Sequence, residues 1–169
     1  AKLVMPGGKL DGASVYELME SEQVTCTAGV PTVWGMLLQY MQTEGKRLST
    51  LKRLIVGGAA APRSMIEKFE AYGIEVFHAW GMTEMSPVGT IGSIKPALAG
   101  LRGDALIDAK CKQGFAPFTV EMKITDEAGT HLPWDGKRFG RLKVAGAAVA
   151  RSYFRSDESI LDDAGYFDT

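Results

Sequence analysis

Five consecutive residues, Trp80-Gly81-Met82-Thr83-Glu84, combine side-chain types that suit a nucleotide and its counter-ion. An indole offers a flat face on which a base can stack. Thr83 offers a hydroxyl to a phosphate oxygen, Glu84 is a hard oxygen ligand of the kind Mg2+ prefers, and Gly81 leaves room. The same residues also read as a plain helix start, with Thr83 as N-cap, Glu84 as an acid favoured by the helix dipole and Trp80 in the core. A second stretch, Gly57-Gly58-Ala59-Ala60-Ala61, follows a β-rich run and precedes Pro62. Strand, tight turn and helix in that order put free N–H groups at the sheet edge where open α/β sheets bind ligands. The stretch is neither a P-loop nor GxGxxG, so alone it reads as a turn. Two such loops on one edge favour a binding site.

Other chemistries find little support. His78 and His131 are the only histidines. His78 falls in a β-rich run and is expected as a hydrogen-bonded core group; His131 reads as an exposed turn residue. No Ser-His-Asp pattern, zinc-ligand cluster or nucleophile elbow is visible. Lys46, Arg47, Lys52 and Arg53 read as a solvated face. Cys26 and Cys111 show neither a CxxC spacing nor a disulfide framework, which suits reduced thiols in the cytoplasm.

The elements that must position the two loops follow from periodicity. Residues 11–22 predict a helix with Val15, Leu18, Met19 and Glu22 on one face and Asp11 or Ser14 as N-cap. Residues 24–28 predict a short strand. Residues 33–44 predict a second helix, its stripe formed by Val33, Met36, Leu37, Tyr40 and Met41 and its end by Gly45. Residues 51–56 form a strand that leads into Gly57–Ala61. Pro62 sits where N1 of the next helix belongs, Met65, Ile66, Phe69 and Tyr72 line that helix, and Gly73 closes it. A strand over 74–79 completes a βαβ unit, so the sheet is expected to be parallel. After about Pro96 the pattern turns to alternation, with strands at 119–125 and 140–144, a turn at 126–129 and a loop at 133–136. No helix is expected there except a short one over 156–162. The fold class is therefore α/β over residues 1–98, part of a parallel-sheet subdomain carrying both loops, followed by a mostly β, barrel-like subdomain over 99–169.

The chain has 169 residues with a net charge of −1, 46% apolar and 23% charged residues, and twenty glycines. Those fractions are globular. The balanced charge gives no bulk electrostatic case for nucleic acid or an anionic membrane. No apolar stretch approaches the ~20 residues a membrane-spanning helix needs. The first residue is Ala1 and the chain closes on Gly165-Tyr166-Phe167-Asp168-Thr169 without a polar tail, which predicts a piece of a longer protein.

At Trp80–Glu84 the sequence resembles the signature of the AMP-forming, adenylate-forming synthetases: acyl-CoA synthetases, peptide-synthetase adenylation domains and luciferases. Gly29-Val30-Pro31-Thr32 resembles the segment before the helix that lines their acyl pocket, and Gly57–Pro62 resembles their Gly-Gly-Ala-Pro loop. Gly140-Arg141-Leu142 with Gly146 and Ser152-Tyr153 is similar to their Gly-Glu-Leu…Gly…Gly-Tyr segment, although Arg141 stands where Glu is usual. Gly165–Thr169 resembles the approach to their Thr-Gly-Asp motif. The tryptophan, with Ser86-Pro87 following, looks most like medium- and long-chain fatty acyl-CoA ligases.

This resemblance implies that Trp80 stacks on adenine, framed by Gly58, Ala59, Ala60 and the His78–Ala79 backbone. Thr83 would bond the AMP phosphate and Glu84 would hold Mg2+, while Gly81 and Met82 would border the acyl tunnel. It implies ATP, AMP and coenzyme A as co-substrates and a fatty or other carboxylic acid as partner. The family's lysine-ending phosphate loop, ribose-binding aspartate and mobile C-terminal domain are expected outside these residues. The chain alone is accordingly expected to be inactive and to self-associate through faces left uncovered. Two alternatives stand beside the fatty-acid reading: a ligase for an aryl, branched or short thio or amino acid, and a non-catalytic nucleotide-binding scaffold.

Overall fold

Asp11 opens the first helix, α1 (Gly12–Ser21), in the computed structural model, which describes all residues 1–169. Its carboxylate accepts from the Ser14 amide at 2.9 Å and the Ser14 hydroxyl at 2.8 Å, so Asp11 and not Ser14 is the N-cap. After strand β1 (Cys26–Gly29), helix α2 (Pro31–Thr43) takes Pro31 as its first residue, where a missing N–H costs nothing. The buried face of α2 is Trp34, Leu37, Leu38 and Met41. The expected stripe is therefore rotated by one residue. The large Trp34 indole takes the inward position, while Met36 is exposed and Val33 and Tyr40 are half-buried.

Strand β2 (Arg53–Val56), helix α3 (Arg63–Ala71) and strand β3 (Glu75–Gly81) form the expected βαβ unit. Pro62 is extended and precedes the helix as its N-cap residue, so N1 is Arg63 and not Pro62. Strands β1 and β2 pair in parallel, as do β2 and β3, with Val56 opposite His78. Strand β4 (Val88–Ile91), which periodicity did not predict, completes a sheet of order β1–β2–β3–β4. The core here gathers Trp34, Leu37, Met41, Leu54, Ile66 and Phe69, among others. Each fully buried side chain of this size stabilises the fold by about 1.5–3 kcal/mol.

Helix α4 (Gly103–Lys110) also departs from expectation, since residues 100–155 showed no helical pattern. Tertiary ion pairs hold it. Arg63, at the start of α3, bonds Glu67 and Asp104 at 2.7 Å each and also pairs with Asp108; Lys110 pairs with Glu70.

Two units divide the chain. The first comprises residues 1–80 and 91–114, the second residues 81–90 and 115–169. They are not the two consecutive stretches, 1–98 and 99–169, that the change in pattern suggests. In the second unit, β5 (Val120–Thr125), β6 (His131–Leu132), β7 (Arg141–Gly146) and β8 (Phe167–Asp168) form an antiparallel sheet of order β6–β5–β7–β8. Arg141 meets Asp168 at 2.9 Å, which ties β7 to β8 at the position where the resemblance leads one to expect Glu. Residues 156–162 are not helical. The Ser156 hydroxyl accepts from the Glu158 amide and the Ser159 hydroxyl from the Leu161 amide, local bonds that compete with a helix. No helix is long and apolar enough to cross a membrane.

Candidate functional site

Parallel register dictates where the glycine-rich stretch lies in the first unit. With Val56 beside His78, the chain leaves β2 at the same sheet edge as the end of β3. An added Cβ on Gly57 would sit 3.8 Å from the Ala79 carbonyl oxygen. The loop is fixed at both feet: the Gly57 amide donates to the Gly29 carbonyl at 3.0 Å, and the Ala61 amide donates to His78 Nε2 at 3.2 Å. Between the feet, Gly58, Ala59 and Ala60 are exposed, and Gly58 has a φ of +78° that favours glycine. Gly58, Ala59, Ala60, Ala79 and Trp80 thus gather at one edge, with Ala79 and Trp80 half-buried. His78 is turned inward and only 3% exposed, and its carbonyl accepts from the Gly92 amide at 2.7 Å.

The rest of the motif belongs to the second unit, joined through the Trp80–Gly81 peptide bond. Thr83–Met85 form a single 3-10 turn with extended Met82 before it, so neither an α-helix nor a Thr83 N-cap is present. Met85, 1% exposed, pins this turn from below. Gly81 has a steric reason: an added Cβ would lie 1.7 Å from the Pro87 carbonyl oxygen, because the chain folds back after Ser86. Thr83 is exposed and Glu84 half-buried.

Glu84 is held from two sides. The Tyr153 hydroxyl donates to Oε1 at 2.8 Å, and the Ala150 amide donates to the Glu84 carbonyl at 2.7 Å. The Tyr153 bond, then the residue's own amide, keeps the carboxyl below the usual carboxylate range, while the neighbouring carboxylate pushes the Tyr153 phenol up. The side chain is therefore anionic at neutral pH. No group of three or more His, Cys, Asp or Glu is arranged around a metal position. One carboxylate fits Mg2+ in its usual mode, in which one or two carboxylates act together with substrate phosphates and water.

Sequence reasoning did not assign Tyr153 to Glu84, nor Ala61 and Cys111 to His78; these partners are far apart in the chain and carry no local signal. Trp34 was missed as well. Its indole N–H donates to the Ile55 carbonyl at 3.1 Å. An open groove of about 340 Å³ between α2 and α3, lined in part by Leu38, Gln39, Pro62 and Lys68, contains none of the predicted site residues.

Comparison with known proteins agrees with the motif. The family model described as AMP-binding enzyme matches residues 1–154. A long-chain-fatty-acid–CoA ligase of Thermus thermophilus is 43% identical over 172 residues, a match that covers 100% of this chain and 32% of that protein. A 3-methylmercaptopropionyl-CoA ligase of Ruegeria pomeroyi is 42% identical over 169 residues, covering 99% of this chain and 31% of that protein. The chain spans about a third of the length of these curated relatives. Among solved structures, the anthranilate CoA ligase AuaEII in complex with anthranoyl-AMP matches with a TM-score of 0.77 at 18% identity, over 98% of this chain and 30% of that one; this likeness speaks for the fold. The family match runs through both loops and the Tyr153 segment, and the chain belongs to the AMP-binding enzyme family.

Proposed function

We propose that this chain is part of the adenylating machinery of an AMP-forming acid–CoA ligase whose acid is a medium- or long-chain fatty acid. In that reaction a carboxylate oxygen attacks the α-phosphorus of ATP and pyrophosphate leaves; the thiol of coenzyme A then attacks the acyl carbon and AMP leaves. The observation that carries the reading is the pinned Gly57–Ala61 arch against the end of β3, immediately before Thr83 and Glu84. The first unit offers Trp80 as a stacking face for adenine, with exposed Gly58, Ala59 and Ala60 and the Ala79 backbone beside it. The second offers the Thr83 hydroxyl to the phosphate, with Gly81 and Met82 on the acyl side. Mg2+, held by Glu84 together with phosphate oxygens, would neutralise charge that develops on the phosphates. Positioning supplies most of the rest.

A second acid class is favoured by one finding, the 42% identity to a ligase named for 3-methylmercaptopropionate. Pyrophosphate release by the full-length protein over a panel of straight-chain, branched, aryl and thioether acids separates the two. Preference for medium or long straight chains supports the first reading, and preference for the short thioether acid supports the second. AMP binding without pyrophosphate release from any acid identifies a non-catalytic scaffold. In the isolated chain, exposed Phe118, Phe139 and Phe154 support self-association, which sedimentation velocity reads directly.

A further inference from the structure

His78 is buried, yet its ring takes no part in the chemistry described above. Both nitrogens are engaged. The Ala61 amide can only donate, so Nε2 must be the bare acceptor at 3.2 Å. The Cys111 carbonyl can only accept, so the ring proton sits on Nδ1, 2.9 Å away. Cys111 is the C-cap residue of α4, and its carbonyl is one of those that a helix end leaves without an intrahelical partner. One imidazole thus joins the last residue of the Gly57–Ala61 arch to the end of α4.

The far side of this connection is itself fixed. Helix α4 is tied to α3 by Arg63 to Asp104 and Asp108, and by Lys110 to Glu70. Glu70 in turn accepts from the Val76 amide of β3 at 3.0 Å. The other foot of the arch, Gly57, is held by β1 through Gly29. Without His78 the arch would keep one foot and lose the other, and a buried amide at Ala61, itself 8% exposed, would have no acceptor.

We propose that the His78 side chain is a positioning group for the nucleotide loop: its ring sets the height of exposed Gly58, Ala59 and Ala60 over the sheet edge through Ala61, without itself touching the nucleotide. The proposal rests on the reading of this loop as an adenine-binding element. His78→Gln is the conservative variant, because one amide can accept from Ala61 and donate to Cys111. His78→Leu fills similar space and does neither.

Three readouts test it. In the unsubstituted 169-residue chain, nitrogen NMR of the imidazole should show a proton on Nδ1 and a bare Nε2; a proton on Nε2 overturns the proposal and needs no variant. Hydrogen exchange should show the Ala61 amide protected in the unsubstituted chain and in His78→Gln and unprotected in His78→Leu; protection in all three overturns it. In the full-length protein, ATP–pyrophosphate exchange should show the KM for ATP raised roughly five- to tenfold by His78→Leu, the worth of one hydrogen bond, with a smaller change in kcat and in the KM for the acid. His78→Gln should return the KM for ATP to within about twofold on the same reasoning. An unchanged KM for ATP, or equal rises for ATP and acid, contradicts a positioning role. If no acid supports exchange in the unsubstituted protein, the ligase reading fails, while the tautomer and Ala61 exchange still decide whether His78 holds the arch.

Discussion

Tyr153 donates its hydroxyl hydrogen to the Glu84 carboxylate at 2.8 Å although the two residues lie 69 positions apart. The Ala150 amide bonds the Glu84 carbonyl, so the same short segment grips both the backbone and the side chain of the one acid in the motif. That leaves the backbone bond as a control. Tyr153→Phe removes only the side-chain grip and should free the carboxylate to rotate. Partners of a metal ligand typically change metal affinity 10- to 100-fold, and for this exposed pair about 3- to 10-fold is expected. The Mg2+ concentration giving half-maximal adenylation by the full-length protein should rise by that factor with little change in melting temperature. An unchanged Mg2+ dependence would show that the Tyr153 bond does not orient Glu84.

Gly81→Ala tests the fold-back that presents Thr83. Its Cβ would meet the Pro87 carbonyl oxygen at 1.7 Å, and a backbone oxygen has no rotamer through which to escape. The backbone of residues 81–87 must shift. Amide chemical-shift changes should concentrate in that stretch, and nucleotide affinity should fall with them. Shifts near zero there would contradict the close approach.

Trp34→Ala addresses the core. The indole is 3% exposed and donates to the Ile55 carbonyl, so truncation opens a large cavity and removes that hydrogen bond. Losses of about 3–5 kcal/mol accompany aromatic-to-alanine changes at such positions. Urea denaturation should show a loss of that size. A loss below about 1 kcal/mol would place Trp34 on the surface.

Asp162 supplies a pH signature. Lys143 at 2.6 Å, followed by the Tyr166 amide, holds its carboxyl down at about 2. A depressed folded value means that the contribution to stability is complete above the ordinary carboxyl value of 3.8 and fades as pH falls towards about 2. Lys143→Met should raise the Asp162 titration midpoint in carboxyl-detected NMR and flatten the acid limb of the stability profile. At the other end of the scale, Glu121 accepts from the Tyr166 hydroxyl and pushes it up to about 12, so that contribution is complete below 10 and lost as pH rises through about 12.

The sequence was most legible where local chemistry dominates. Gly57–Ala61 follows β2 and Trp80–Glu84 runs from the last two residues of β3 past its end, and strand ends with glycine and small residues announce themselves at short range. The αβ order of residues 11–79 was readable for the same reason, since each helix carries its own apolar face. Helix α4 was not. Gly103-Asp104-Ala105-Leu106-Ile107-Asp108-Ala109-Lys110 has little apolar periodicity, and Arg63, 41 and 45 positions away from Asp104 and Asp108, helps to hold it. Strand β8 has only two residues and exists through pairing with β7. In the site, residue types were legible and partners were not: nothing near position 84 points to Tyr153, and nothing near 78 points to Cys111. The helix forecast over 156–162 failed because serines that can start a helix can equally close local turns.

Glu84→Gln in the full-length protein tests the central claim most directly. The substitution removes one charge and keeps the shape and one oxygen. If Glu84 holds Mg2+ against the phosphates, single-turnover adenylation should slow and Mg2+ affinity should fall together, with partial recovery at excess Mg2+. Thioester formation started from synthetic acyl-adenylate and coenzyme A should suffer less, and the melting curve should hardly move. Equal losses in both half-reactions, or unchanged adenylation with a lowered melting temperature, would contradict the assignment and leave Glu84 as the structural partner of Tyr153.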